Sequence, residues 1–175
     1  MTDEDEVASA FVRRDGRCVA RLATDEVRVL RKVASEIVGL LTEGFGHDDP
    51  VVRRLFPDPY PELPHDSAEF RRYTEGELKK GKIDQAGVLL AGLPEEAGEV
   101  ALDEEAAEAW LRTLTDARLA MAVRLDLDAI TDLRIEWDTA LAADPAGTRV
   151  FQLSIYAYLG FLQESLLEAL MEPAR

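Results

Sequence analysis

From Thr148 to Met171 the chain reads TRVFQLSIYAYLGFLQESLLEALM, with no proline and only three charged side chains, Arg149, Glu164 and Glu168. A helix over this stretch is apolar nearly all the way round. Such a helix needs neighbours on most of its sides, which places it at the centre of a bundle. The fold expected is therefore mainly α: a helical bundle around a central C-terminal helix. With 175 residues the chain suits one domain with one sizeable core. Residues 10–172 are expected to form it, with residues 1–9 as a disordered tail.

The other segments supply the partners. Thr24 is expected to cap a helix with Asp25 and Glu26 in its first turn, where negative charge complements the helix dipole. Val27, Leu30, Ala34, Ile37 and Leu41 fall on one face of it. Residues 48–56 allow a short helical turn or two. FPDPYPELP, from Phe56 to Pro64, carries four prolines and forms a rigid connection. The segment that follows, starting near Asp66 or Ser67 and running to Leu90, is weakly apolar and interrupted by Gly76 and Gly81. It predicts a bent helix or two short ones. Asp103 starts a strong helix to about Leu125. Another is expected over roughly Asp128 to Ala142, with Ile130, Leu133, Trp137 and Leu141 on one face.

Near the N-terminus, short strand-like runs at Ala10 to Arg13 and Arg17 to Leu22 flank Asp15-Gly16, a dipeptide that favours a tight hairpin turn. Val100 and Leu102 offer a third strand. A small N-terminal β-hairpin or three-stranded antiparallel sheet is expected beside the bundle. The mixed pattern of Arg17 to Leu22 leaves open which face is buried.

The chain has 35 acidic and 20 basic residues, a net charge of −15. That charge opposes nucleic acid and an acidic membrane surface alike, since phosphate binding needs clustered Lys and Arg. It suits a basic protein partner, or simply keeps the protein soluble. The acidic start MTDEDEV is unlike a signal peptide, and no apolar run is long enough to span a bilayer. A cytoplasmic protein is expected.

Within LTDARLAMAVRL, residues 114–125, Arg118 falls on the apolar stripe of Leu111, Leu114, Met121 and Leu125. On the last helix, Glu164 shares a face with Leu153, Tyr156, Gly160, Leu167 and Met171. A buried guanidinium needs a partner, and Arg118 is expected to pair with Glu164, either to set helix register or to build a polar pocket. Asp116 rivals Glu164 only if the helix is distorted. The single cysteine, Cys18, is either a packed side chain in the sheet or a redox candidate, and it cannot form a disulfide within the chain. A catalytic thiol needs an electropositive setting, and strand alternation puts Arg17 and Arg21 opposite Cys18. Carboxylates at Glu104, Glu105 and Glu108, or at Asp126, Asp128 and Asp132, lack a nearby histidine and fit no calcium loop. His47 and His65 lie in loops. No nucleophile elbow or phosphate-cradling loop is present. No catalytic residue, metal or cofactor is expected. Trp110, Trp137, Phe151, Tyr156, Tyr158 and Phe161 read as core residues at helical spacing.

Four stretches together resemble a family of small actinobacterial proteins described as oxidative-stress regulators and long catalogued as a domain of unknown function. They are GRCVARLATDEVRVLRKV, DPVVRRLFPDPYP, AWLRTLTDARLAMAVRL and YLGFLQESLLEAL. Thr115 stands where that family usually has Asn, and Tyr158 and Phe161 where it usually has Trp. The resemblance implies a transcription-linked regulator acting through protein partners, including a stress sigma factor, with effects on cysteine synthesis. It also implies a redox switch through an intrachain disulfide, which a lone Cys18 cannot make. Sulfenic acid, a mixed disulfide or an intermolecular disulfide remain open to this thiol. The leading expectation is thus a non-enzymatic regulatory protein. The alternative is a small-molecule sensor with a polar pocket around Arg118. A homodimer through FPDPYP or the hairpin edge is a further expectation.

Overall fold

The hairpin comes first, and its turn chemistry sets its register. In the computed structural model, which describes residues 11–173, Asp15 and Gly16 both adopt positive φ, 49° and 76°. Those values suit a two-residue turn whose twist matches the strands it joins. Strands β1 (Val12–Arg14) and β2 (Arg17–Leu22) pair antiparallel, with Arg13 opposite Cys18. β3 (Gly98–Leu102) pairs with the other edge of β2, with Cys18 opposite Leu102 and Ala20 opposite Val100. The order is β1-β2-β3. Cys18, Ala20 and Leu22 face the main core, which settles the face left open by the sequence. The tail expected at residues 1–9 lies outside the described residues.

Among the described residues six helices follow the expected mainly α plan: α1 (Thr24–Thr42), α2 (Pro50–Leu55), α3 (Pro64–Gly92), α4 (Glu104–Arg124), α5 (Leu133–Ala143) and α6 (Thr148–Met171). α1 buries Val27, Leu30, Ala34, Ile37 and Leu41, the face its periodicity marks. Thr24 does not cap it: the cap residue is Ala23, and the Glu26 carboxylate accepts from the Ala23 amide at 2.7 Å. Asp49 caps α2 by accepting from the Val51 amide at 2.7 Å. Asp103 caps α4 through the Ala106 amide at 2.9 Å.

α3 corrects an expectation. It is one continuous helix from Pro64 to Gly92, through both Gly76 and Gly81. Each helical glycine costs about 1 kcal/mol against alanine, yet packing of α3 against α1 and α4 holds the segment helical. Ser67 does not cap it. Its hydroxyl donates to the Tyr60 carbonyl at 2.8 Å and accepts from the Tyr60 amide, stapling the proline-rich connection to the helix. α5 also starts later than expected. Asp132 caps it at the Arg134 amide, 2.9 Å away, and Ile130 lies before it, 91% exposed.

α4 and α6 lie side by side, and α4 also packs on α1, α2, α3 and the sheet. Trp110 of α4 is fully buried, meeting Phe11 edge to face at 5.9 Å. α6 buries Leu153, Leu159, Leu162, Leu166 and Ala169 but turns Phe151, Phe161, Leu167 and Met171 outward. Phe151 and Phe161 are therefore surface residues, against the expectation that they pack in the core.

Candidate functional site

The phase of α6 decides the surroundings of Arg118. Because the helix is apolar nearly all round, its sequence fits more than one buried face. The face chosen by folding is Leu159, Leu162, Leu166 and Ala169. That rotation turns Glu164 to solvent and brings its neighbour Gln163 toward α4. The expected pair of Arg118 with Glu164 is not formed. Arg118 Nη1 instead donates to Gln163 Oε1 at 2.9 Å, and Gln163 Nε2 donates to the Thr115 hydroxyl at 2.7 Å. The guanidinium lies 5.1 Å from the centre of the Tyr156 ring, within cation–π range. Gly160 makes room for it, since a Cβ there would come within 3.4 Å of the guanidinium carbon. Arg118 Nε is buried without an acceptor.

Arg118 opens onto a cleft of about 690 Å3 between α4, the loop after it and α6. The cleft is shaped by the end of α4. There the Leu127 amide donates to the Ala122 carbonyl at 2.8 Å and the Asp126 amide to the Val123 carbonyl at 3.2 Å. This is the Schellman arrangement, whose pivot residue takes the left-handed conformation and is most often glycine. Here the pivot is Asp126, at φ 54°. Asp128 is held in turn by the Thr131 hydroxyl at 2.7 Å and the Ile130 amide at 3.1 Å. Those bonds keep its carboxyl below the usual carboxylate range.

A second polar feature escaped the sequence. Lys82 of α3 meets Asp116 of α4 at 2.7 Å, with side chains 21% and 6% exposed. Burial pushes the Asp116 carboxyl up, and the Lys82 ammonium partly offsets that. Asp116 thus has a partner on another helix, and Arg118 is not it. The sequence shows Lys82 only as one of three clustered lysines, with Lys79 and Lys80, and the weak apolar pattern of the segment gives no phase that would single it out. The pair lines a shallower groove of about 460 Å3 with Gln85 and Arg112, next to the larger cleft at Thr115.

Cys18 sits in neither. It is fully buried, on the central strand between β1 and β3 and facing the main core. Burial pushes its thiol up, which outweighs the opposing pull of Arg13, whose Nη1 lies 3.8 Å from Sγ. Arg17 and Arg21 are exposed on the other face of the strand. His47 is exposed and lies 3.1 Å from Glu75, and His65 is exposed beside Asp66. Among the described residues no group of three or more His, Cys, Asp or Glu is gathered to hold a metal ion. No helix among them is long and apolar enough to cross a membrane.

The fold and cleft together define a mainly helical protein with a small N-terminal antiparallel sheet and a charged groove between its late helices. The chain belongs to the family described as Domain of unknown function (DUF2017), whose model matches residues 8–170. The match agrees with the resemblance read from the sequence. The relatives include the oxidative stress regulator AosR of Mycobacterium tuberculosis, 30% identical over a 192-residue alignment covering 90% of this chain and 84% of that one. AosR of Mycobacterium bovis is equally similar. AosR of Mycobacterium leprae is 29% identical over 184 residues, covering 86% of this chain and 81% of that one. No solved structure matches the chain.

Proposed function

We propose that this protein is a cytoplasmic, non-enzymatic regulator in an oxidative-stress response, working by contact with other proteins. The regulatory part draws on the names of the mycobacterial relatives. The observation that carries the contact part is an aromatic patch where the proline-rich connection meets α3. Tyr60, Leu63, Phe70 and Tyr73 are all exposed there, Tyr73 by 73%. The Tyr60 and Phe70 rings meet edge to face at 6.3 Å, and Ser67 fixes the connection that carries Tyr60. Exposed aromatic clusters on a rigid base are the usual anchors of protein interfaces. A chain of net charge −15 favours a partner with a basic rim. The resemblance read from the sequence makes a component of the transcription apparatus, such as a sigma factor, the partner to test.

Immobilised wild-type protein and a Tyr73→Glu variant, exposed to reduced and oxidised lysates, test this. Wild type is expected to retain a transcription component, less of it at high salt, and the variant to lose it. Equal retention by both, or none by wild type, rejects the patch. Capture that stays oxidant-dependent in Cys18→Ser removes the thiol from the response. Light scattering of the purified protein tests the homodimer as the occupant of the same patch.

A further inference from the structure

Four ionic side chains line the cleft beside Arg118: Arg54, Arg118, Asp126 and Asp128. The ion pairs among the described residues include none of them. Two charges of each sign thus face one cavity with no direct ion pair among them. Arg118 is the most costly of them. Neutral groups position it, namely Gln163 and the Tyr156 ring, and its buried Nε has no acceptor. A partly desolvated cation without a counter-ion is unfavourable until an anion meets it. Asp126 is held in a left-handed conformation that glycine would take more easily. Asp128 is fixed by two hydrogen bonds from its own loop. Val123 and Leu127 give the cavity an apolar wall.

A simple anion would be repelled by the two aspartates, and a simple cation by the two arginines. We infer that the cleft binds a small zwitterion of the α-amino-acid class, free or as the ends of a short peptide, with carboxylate toward Arg118 and Arg54 and ammonium toward Asp126 and Asp128. An apolar side chain would lie against Val123 and Leu127. The volume of about 690 Å3 lies in the range of small-molecule sites and has room for a short peptide. This goes beyond the partner-binding proposal and stands or falls separately from it.

The test is thermal shift and titration calorimetry on the full chain. The probes are the proteinogenic amino acids and trialanine. Isovalerate and isopentylamine are the singly charged controls. At least one zwitterion is expected to raise Tm, with both controls inert. Binding of an amino acid but not trialanine identifies the free compound, and the reverse identifies peptide ends. Arg54→Gln and Asp126→Gly alter exposed positions, and the second relaxes the backbone, so both variants are expected to fold. Each is expected to weaken binding about tenfold or more, as is Arg118→Gln. The inference is overturned if no probe zwitterion binds at millimolar concentration, if the controls bind as tightly, or if Arg54→Gln and Asp126→Gly bind like wild type.

Discussion

Cys18 shows how one residue's chemistry depends on its neighbours. The thiolate is the reactive form of cysteine, and burial in the sheet works against it more strongly than Arg13 works for it. Native protein is therefore expected to react with iodoacetamide far more slowly than urea-unfolded protein, as mass spectrometry would record. Stability follows the same sign. Below the ordinary thiol value, about 8.5, folded and unfolded states both keep the proton. Above it the unfolded state ionises while the folded state resists, so stability falls as pH rises toward the raised folded value. Cys18→Ala is expected to cost about 1 kcal/mol at neutral pH and to lose less than wild type on going alkaline. Equal alkaline losses in urea melts would contradict this. The place of Cys18 in a strand was legible because Asp15-Gly16 fixes the hairpin. The buried face was not, because Val19, on the opposite side of β2 from Cys18, is apolar and buried as well.

At the scale of elements, legibility tracked amphipathicity. α1 has one apolar face and a charged remainder, and the structure buries the face expected. α6 has no such contrast, so its rotation is decided by α4 and the sheet, and Gln163 takes the place expected of Glu164. α3 has too few apolar residues and too many glycines to be read as one helix, and neighbours hold it together. One of its ties to α4 is the Lys82–Asp116 pair, largely removed from solvent. Breaking such a pair strands a charge, whereas replacing both ends with apolar groups removes the desolvation cost as well as the attraction. Asp116→Ala is accordingly expected to destabilise by about 3 kcal/mol. Lys82→Met with Asp116→Leu together is expected to be near neutral or stabilising. Urea titrations of Lys82→Met, of Asp116→Leu and of the double variant give the coupling, and additivity would show that the two side chains do not act as a pair.

For the molecule as a whole, the distribution of buried side chains predicts where it opens first. The main core joins the sheet, α1, α3, α4 and α6 through residues such as Leu22, Leu30, Leu89, Trp110 and Leu162. A second cluster ties α2 to α1 and α4. The third is small: Leu125, Ala140 and Leu153, with Trp137 and Tyr156 packed against it. α5 contributes only Ala140 to the buried set. Local opening costs least where few apolar groups are withdrawn from water. Amides of α5 are thus expected to exchange with deuterium well before those of α4, at denaturant concentrations too low to unfold the rest. α5 is tied to the start of α6 by Arg149, which donates to the Leu125 carbonyl and pairs with Glu136 of α5, both at 2.7 Å. Arg149→Ala should then speed exchange in α5 and leave the sheet and α1 unchanged. Exchange of α5 in step with α4 would instead mean that α5 opens only with the whole bundle.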